Sequence, residues 1–253
     1  MAQQLAAPIA VRNSGRASTT RRFFLLDRYF YFFMSLLIAA VVAYGFGQTV
    51  NPYLIHAAPP RPLLLWFHGA VFSSWVVFYI FQSALVRTHN VKLHRTLGWF
   101  GAGLASAMTA LGIATAIVMK RFDLMHALEP DAAAFLIISL WDITAFTVAF
   151  WLAMCWRRKP EYHRRLILVA SCALSGAAFS RFPATIVNPT YAYVWMDGLI
   201  LLGVVRDVIV MRRIHPIYVR MLVLFVPVQI FVMHTYLHAS PWWMRISHAI
   251  LGV

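Results

Sequence analysis

The sequence predicts an all-α fold: a polytopic integral membrane bundle of seven helices, N-terminus cytoplasmic and C-terminus outside. Three observations carry that prediction. The chain has 253 residues, of which 61% are hydrophobic and 12% charged, against about 25% charged in a soluble domain. Its apolar residues gather in stretches over 24–47, 62–86, 96–119, 132–156, 164–182, 191–211 and 217–238. Each stretch is about 19–25 residues, enough for a helix to cross a hydrocarbon core of ~30 Å. Finally, the positive charge alternates between the gaps. One side carries Arg12, Arg16, Arg21, Arg22 and Arg28; Arg87, Lys92 and Arg95; Arg157, Arg158, Lys159, Arg164 and Arg165; and Arg206, Arg212, Arg213 and Arg220. Of the 22 lysines and arginines, only Arg61, Lys120, Arg121, Arg181 and Arg245 fall on the other. Positive residues stay cytoplasmic, which fixes the orientation.

Residues 1–22 read as a polar, disordered cytoplasmic tail. They lack the apolar core of a cleavable signal, so the first helix is the expected insertion signal. The helical domain covers 23–239. Its first stretch opens on aromatics (Phe23, Phe24, Tyr29, Phe30, Tyr31, Phe32 and Phe33) and continues aliphatic. Pro52, Pro59, Pro60 and Pro62 predict an extended turn before the second helix. The third opens with Gly98, Gly101, Gly103, Ala105 and Ala107, and the fifth is equally small at Ala170, Ser171, Ala173, Ser175, Gly176, Ala177 and Ala178. Such faces let a neighbouring backbone or a flat cofactor approach. Pro227 predicts a kink in the seventh helix. Residues 240–253, with Trp242 and Trp243, read as a short interfacial helix at headgroup level.

The net charge of +14 follows from the positive-inside rule and an anionic inner leaflet. No soluble basic fold is predicted, so nucleic acid is not an expected partner. Cys155 and Cys172 lie toward or within the membrane on the reducing side, and no disulfide is expected. All three lysines fall in gaps, so a retinal Schiff base in the bundle is excluded.

Ionisable groups inside a membrane are expensive and point to function. His68, Asp142, Arg181, Asp197 and His234 share the outer half on five different helices. One reading makes Arg181 and Asp197 a structural ion pair. Another takes His234 and His238, four residues apart on one face, as half of a zinc site, with His68 as third ligand and Asp197 or Asp142 as fourth. On the cytoplasmic side, His94 and His163 head the third and fifth helices. Two neutral imidazoles on separate helices are a donor set for the axial positions of a haem iron, with Arg95, Arg164 or Arg165 to pair the propionates. His68 with His234 is a second such pair at the opposite face. The alternative is that the His-Arg pairs are snorkelling interfacial residues. An internal echo joins the two halves: His94-Arg95-Thr96-Leu97 then Trp141-Asp142, and His163-Arg164-Arg165-Leu166 then Trp195-Met196-Asp197. A duplicated hairpin or chance produces it.

The residues His68-Gly69, Trp75, Gln82, His94-Arg95-Thr96-Leu97-Gly98 and His163-Arg164-Arg165-Leu166 resemble a group of uncharacterised bacterial multipass membrane proteins. The His-Arg-x-Leu-Gly element is similar to helix starts in cytochrome b561-like membrane domains. That resemblance implies b-type haem on His94 and His163, and a place in a bacterial inner membrane. A second resemblance, to seven-helix hydrolases of the adiponectin-receptor and ceramidase kind, implies zinc on His68, His234 and His238. The expected function is therefore haem b electron transfer or cofactor handling. The alternatives are a zinc-dependent membrane hydrolase facing outward, and a non-enzymatic complex subunit or transporter. Expected partners are the bilayer and a membrane protein or a second copy of the chain.

Overall fold

A computed structural model describes residues 14–253, with side chains from Asp27 onward. Among the described residues every regular element is helical, with no strand. The helices are α1 (Ser14–Gly47), α2 (Leu63–Arg87), α3 (Val91–Met125), α4 (Ala132–Cys155), α5 (Pro160–Ala173), α6 (Gly176–Phe179), α7 (Ala192–Met211), α8 (Pro216–Leu237) and α9 (Pro241–Leu251). Of the tail expected over 1–22, residues 1–13 lie outside the described part, and 14–22 continue α1.

Five helices are long and apolar enough to cross a membrane: Asp27–Gly47 within α1, then α2, α3, α4 and α8. The stretch expected as one helix over 164–182 is divided. α5 ends at Ala173, and the turn at Leu174–Ser175 intervenes before α6. There the Ser175 hydroxyl donates to the Cys172 carbonyl at 2.6 Å, and the Ser175 N–H donates to the same carbonyl at 2.9 Å. A hydroxyl that competes for a backbone carbonyl, next to a glycine, is a known cause of helix interruption. α7 carries Asp197, Arg206 and Asp207 along its length, which dilutes its apolar character.

α4 is the centre. It packs on α3, α5, α8 and α9, and Leu136, Phe146, Ala149 and Ala153 are wholly buried. A helix surrounded on all sides carries no polar stripe, and α4 is apolar nearly all round. Its alanines keep the neighbours close. Of the glycines expected to leave room, Gly98 and Gly103 face open space, while Gly101, like Gly112 and Gly45, lies against another part of this chain. Phe78 fills the space in front of Gly101, Ile143 that in front of Gly112, and the Ala178 backbone that in front of Gly45. α1 and α6 therefore touch backbone to backbone.

α3 extends well beyond the length of one crossing toward its C-terminal end; its 35 residues span roughly 50 Å at ~1.5 Å each. At that end Asp123 pairs with Arg61 and Lys120, and Lys120 with Glu129. This ties the proline-rich loop and the α3–α4 turn together. Asn51–Ile55 of that loop forms a single wide helical turn rather than extended chain. α9 is docked on α3 and α4. Trp243 is buried, and its indole N–H donates to the Ala134 carbonyl at 3.1 Å, while Trp242 stays exposed.

Candidate functional site

Polar groups collect in two layers inside the bundle. The inner one begins at α5. Pro160 sits in its first turn, where the missing N–H costs nothing, and Glu161, Arg164 and Arg165 follow within one and a half turns. Arg165 is fully buried. Its Nε donates to Asp207 Oδ2 at 2.8 Å and its Nη2 to Asp207 Oδ1 at 2.7 Å. Its Nη1 donates to Glu161 Oε2 at 2.6 Å. Asp207, also fully buried, accepts from Arg206 Nη1 at 2.6 Å and from the His215 backbone N–H at 3.3 Å. Arg206 reaches Asp27 on α1 as well, and Arg164 lies 3.7 Å from the same carboxylate. Three acids thus meet three arginines, joining α1, α5 and α7 to the start of α8. Each charge is compensated, as removal from water demands.

The electrostatics at the rim follow from these contacts. Burial alone would raise the Glu161 carboxyl, but hydrogen bonds and charge from Arg165 and Arg164 outweigh it and hold Glu161 below its ordinary range. Burial lowers His163 below the usual histidine range, against a weaker opposing pull from the Ala153 carbonyl. His215 is lowered by burial first and by Arg165 next.

His94 and His163 meet. Their ring centroids are 6.3 Å apart and their planes cross at 77°. The His163 Nδ1 lies 2.9 Å from the Ala153 carbonyl. A carbonyl only accepts, so Nδ1 carries the proton and Nε2 keeps a free lone pair. His94 Nδ1 is buried and makes no hydrogen bond among the described residues. Two imidazoles from different helices are thus neighbours, one oriented by a backbone carbonyl and one with a buried nitrogen that makes no hydrogen bond among the described residues.

The outer layer is assembled differently from the sequence expectation. Asp142 on α4 accepts from the Tyr193 hydroxyl at 2.8 Å. Asp197 accepts from Gln229 Nε2 on α8 at 3.2 Å. The Arg181–Asp197 ion pair is not formed. Arg181 follows α6, and its guanidinium turns back to the Ala177 carbonyl and over the Phe46 ring, while Asp197 on α7 faces α8. His68 stacks on Phe72, its neighbour one turn along, at 4.0 Å. His234 and His238 stack on each other at 4.2 Å, both exposed. No ring contact joins His68 to His234 among the described residues, so the expected second haem pair is not brought together. Nor do three His, Cys, Asp or Glu side chains converge as a metal site among them. The zinc set of His68, His234, His238 and Asp197 or Asp142 is spread over α2, α4, α7 and an outward face of α8.

Sequence reasoning passed over Asp207, Glu161 and Asp27, and over Tyr31 and Tyr218, whose rings lie against the arginines that pair with them. A signal was present: these are three of only eight acidic residues, and they lie on the basic side. Comparison with protein-family models, with curated proteins and with solved structures finds no match for this chain.

Proposed function

We propose that this chain is an electron-transfer or cofactor-handling protein of a bacterial inner membrane, binding one b-type haem between His94 and His163. The observation that carries the reading is the 6.3 Å, near-perpendicular approach of two imidazoles from different helices. His163 is oriented by the Ala153 carbonyl, the kind of outer hydrogen bond that fixes a ligating histidine. Its depressed basicity keeps it neutral and available at pH 7. Arg95, next in sequence to His94, would be the cation for a propionate; Arg164 is already held by Glu161 and Asp27. Bound there, haem supplies one-electron redox chemistry; the chain holds its ligands in place and shields them from water.

The same reading takes the chain as seven crossings with the N-terminus cytoplasmic. α5 and α6 together cover 160–179 and α7 covers 192–211, lengths close to those of a full crossing. The charge alternation then puts the His94–His163 pair at the cytoplasmic face, above an anionic leaflet and open to a membrane-protein partner or a second copy.

The test is an absorption spectrum of detergent-purified protein expressed with added haem, with and without dithionite. A Soret band with reduced-minus-oxidised features, lost in His94→Ala and in His163→Ala, is expected. Absence of any haem band in the folded wild type would end the reading.

A further inference from the structure

The chain has eight acidic residues, and each already has a place. Asp27, Glu161 and Asp207, at the end of the bundle where α3 and α5 begin, are taken up by Arg164, Arg165 and Arg206. Asp123, Glu129 and Asp131 lie at the far end of α3. Asp142 and Asp197 are inside the bundle, on Tyr193 and Gln229. No carboxylate of this chain is therefore left for Lys92 and Arg157, both exposed at the end where α3 begins. Their counter-charge has to come from outside the chain.

The fold brings these two cations to one place. Arg157, in the turn between α4 and α5, lies over the Trp99 ring of α3, 5.3 Å from its centroid. One guanidinium nitrogen donates to the Met154 carbonyl at 3.1 Å, and the other N–H groups make no hydrogen bond among the described residues. Lys92 stands two helical turns before Trp99 on the same face of α3. That face continues past Trp99 as Gly103, Ser106 and Ala110, all small and exposed, with open space in front of Gly103. Trp99 to Ala110 spans roughly 16 Å along the helix, about half of a ~30 Å hydrocarbon core. Beside it α2 and α3 leave an outward groove lined by Ser73, Ser74, Val77, Phe78, Phe81 and Phe100. Its wall is the edge-to-face pair of Phe78 and Phe100, with centroids 5.5 Å apart. The Ser74 hydroxyl turns back to the Ala70 carbonyl at 2.8 Å, so it offers the groove no free donor.

We propose that this surface of α2 and α3 is a site for one anionic phospholipid. The headgroup phosphate sits between Lys92 and Arg157, beside Trp99. One acyl chain lies in the α2–α3 groove and the other along the flat face of α3. Charge complementarity selects the occupant: a phosphate oxygen accepts the free N–H groups of Arg157 and the Lys92 ammonium. An anionic headgroup keeps its net charge there, whereas a zwitterionic one carries its own cation and gains less. An indole at headgroup depth and a basic pocket at a helix end are the ordinary means of holding such a lipid. The site requires that α2 and α3 cross the membrane, for which both are long and apolar enough. It does not depend on haem, and it leaves Arg95 to the propionate.

The experiment is native mass spectrometry of the delipidated full chain in detergent, titrated with phosphatidylglycerol or with phosphatidylcholine of the same acyl chains. The first phosphatidylglycerol should bind about tenfold tighter than the first phosphatidylcholine, as two cations near the headgroup imply. Lys92→Gln and Arg157→Gln should each weaken phosphatidylglycerol about fivefold and leave phosphatidylcholine unchanged. Ser74→Phe, which fills the groove, should weaken both lipids. Arg220→Gln removes the same charge from α8 at the same end of the bundle and should change neither. Equal binding of the two lipids overturns the proposal. So does an Arg220→Gln loss as large as that of Arg157→Gln, which would mean diffuse charge rather than a site. Displacement of the lipid by glycerol phosphate would mean a site for the free phosphate and overturn it as well. If Ser74→Phe fails to fold, the exposed substitutions Lys92→Gln and Arg157→Gln decide. A missing haem band would refute the electron-transfer reading alone, and a missing preference for phosphatidylglycerol this one alone.

Discussion

Arg165 and Asp207 hold each other in a two-pronged clamp, Nε to Oδ2 at 2.8 Å and Nη2 to Oδ1 at 2.7 Å, with neither side chain exposed. They are 42 positions apart in sequence and join α5 to α7. The planar guanidinium matches the carboxylate edge, a geometry that lysine does not reproduce.

Breaking the clamp from one side leaves a buried charge without its partner. Asp207→Asn and Arg165→Met should each cost about 3–5 kcal/mol. Arg165→Lys should recover less than half of that loss. Thermal unfolding in detergent reads the differences. A variant Asp207→Asn as stable as the wild type would show that Glu161 and Asp27 alone compensate Arg165 and Arg206.

On the proposed haem reading, His163 would make haem binding and stability depend on pH in the same direction. Burial lowers its folded-state value below the unfolded one of about 6.5. The neutral form is therefore favoured by the fold. Its contribution is complete above about pH 6.5 and declines as pH falls below that, because the unfolded chain then binds the proton more readily. Axial ligation also needs the neutral ring. A haem band titrated from pH 8 downward should stay constant to below pH 6.5 and then fall. Loss of the band already between pH 8 and 7 would contradict a histidine held neutral.

Glu161 acts with the opposite kind of shift. Its folded-state value is depressed by Arg165 and Arg164, in spite of burial. The stability it adds is present above its unfolded value and is lost as pH falls through the folded one. The part of the acid limb due to Glu161 should therefore extend below the ordinary glutamate range. In Glu161→Gln this part of the pH dependence should vanish. An unchanged acid limb in that variant would remove Glu161 from the network.

Gly45 marks the closest approach of α1 and α6. A methyl group there would strike the Ala178 carbonyl, which is backbone and cannot swing away. Gly45→Ala should cost about 1–3 kcal/mol through overpacking. Gly47→Ala, which faces open space, should be neutral or slightly stabilising. Equal melting temperatures for the two variants would mean the helices separate without cost.

The division between what was legible and what was not follows range. Composition and the placement of apolar stretches are local properties, and they determined an all-helical chain with several helices long and apolar enough to cross a membrane. The His94 and His163 positions could be read because each opens a helix beside an arginine. Their approach to 6.3 Å could not, since it depends on how α3 and α5 lean on α4. The expected Arg181–Asp197 pair failed for a related reason. Azimuth decides partners: Asp197 faces Gln229 on α8, and Arg181 lies beyond the turn at Leu174–Ser175. Asp207 was hidden among apolar neighbours late in α7, and its meaning appeared only when α5 brought Arg165 to it. In a bilayer the sequence sets which segments leave water, because that free energy is summed residue by residue. Which polar groups then find each other is set by helix rotation and crossing, and only the tertiary structure decided that.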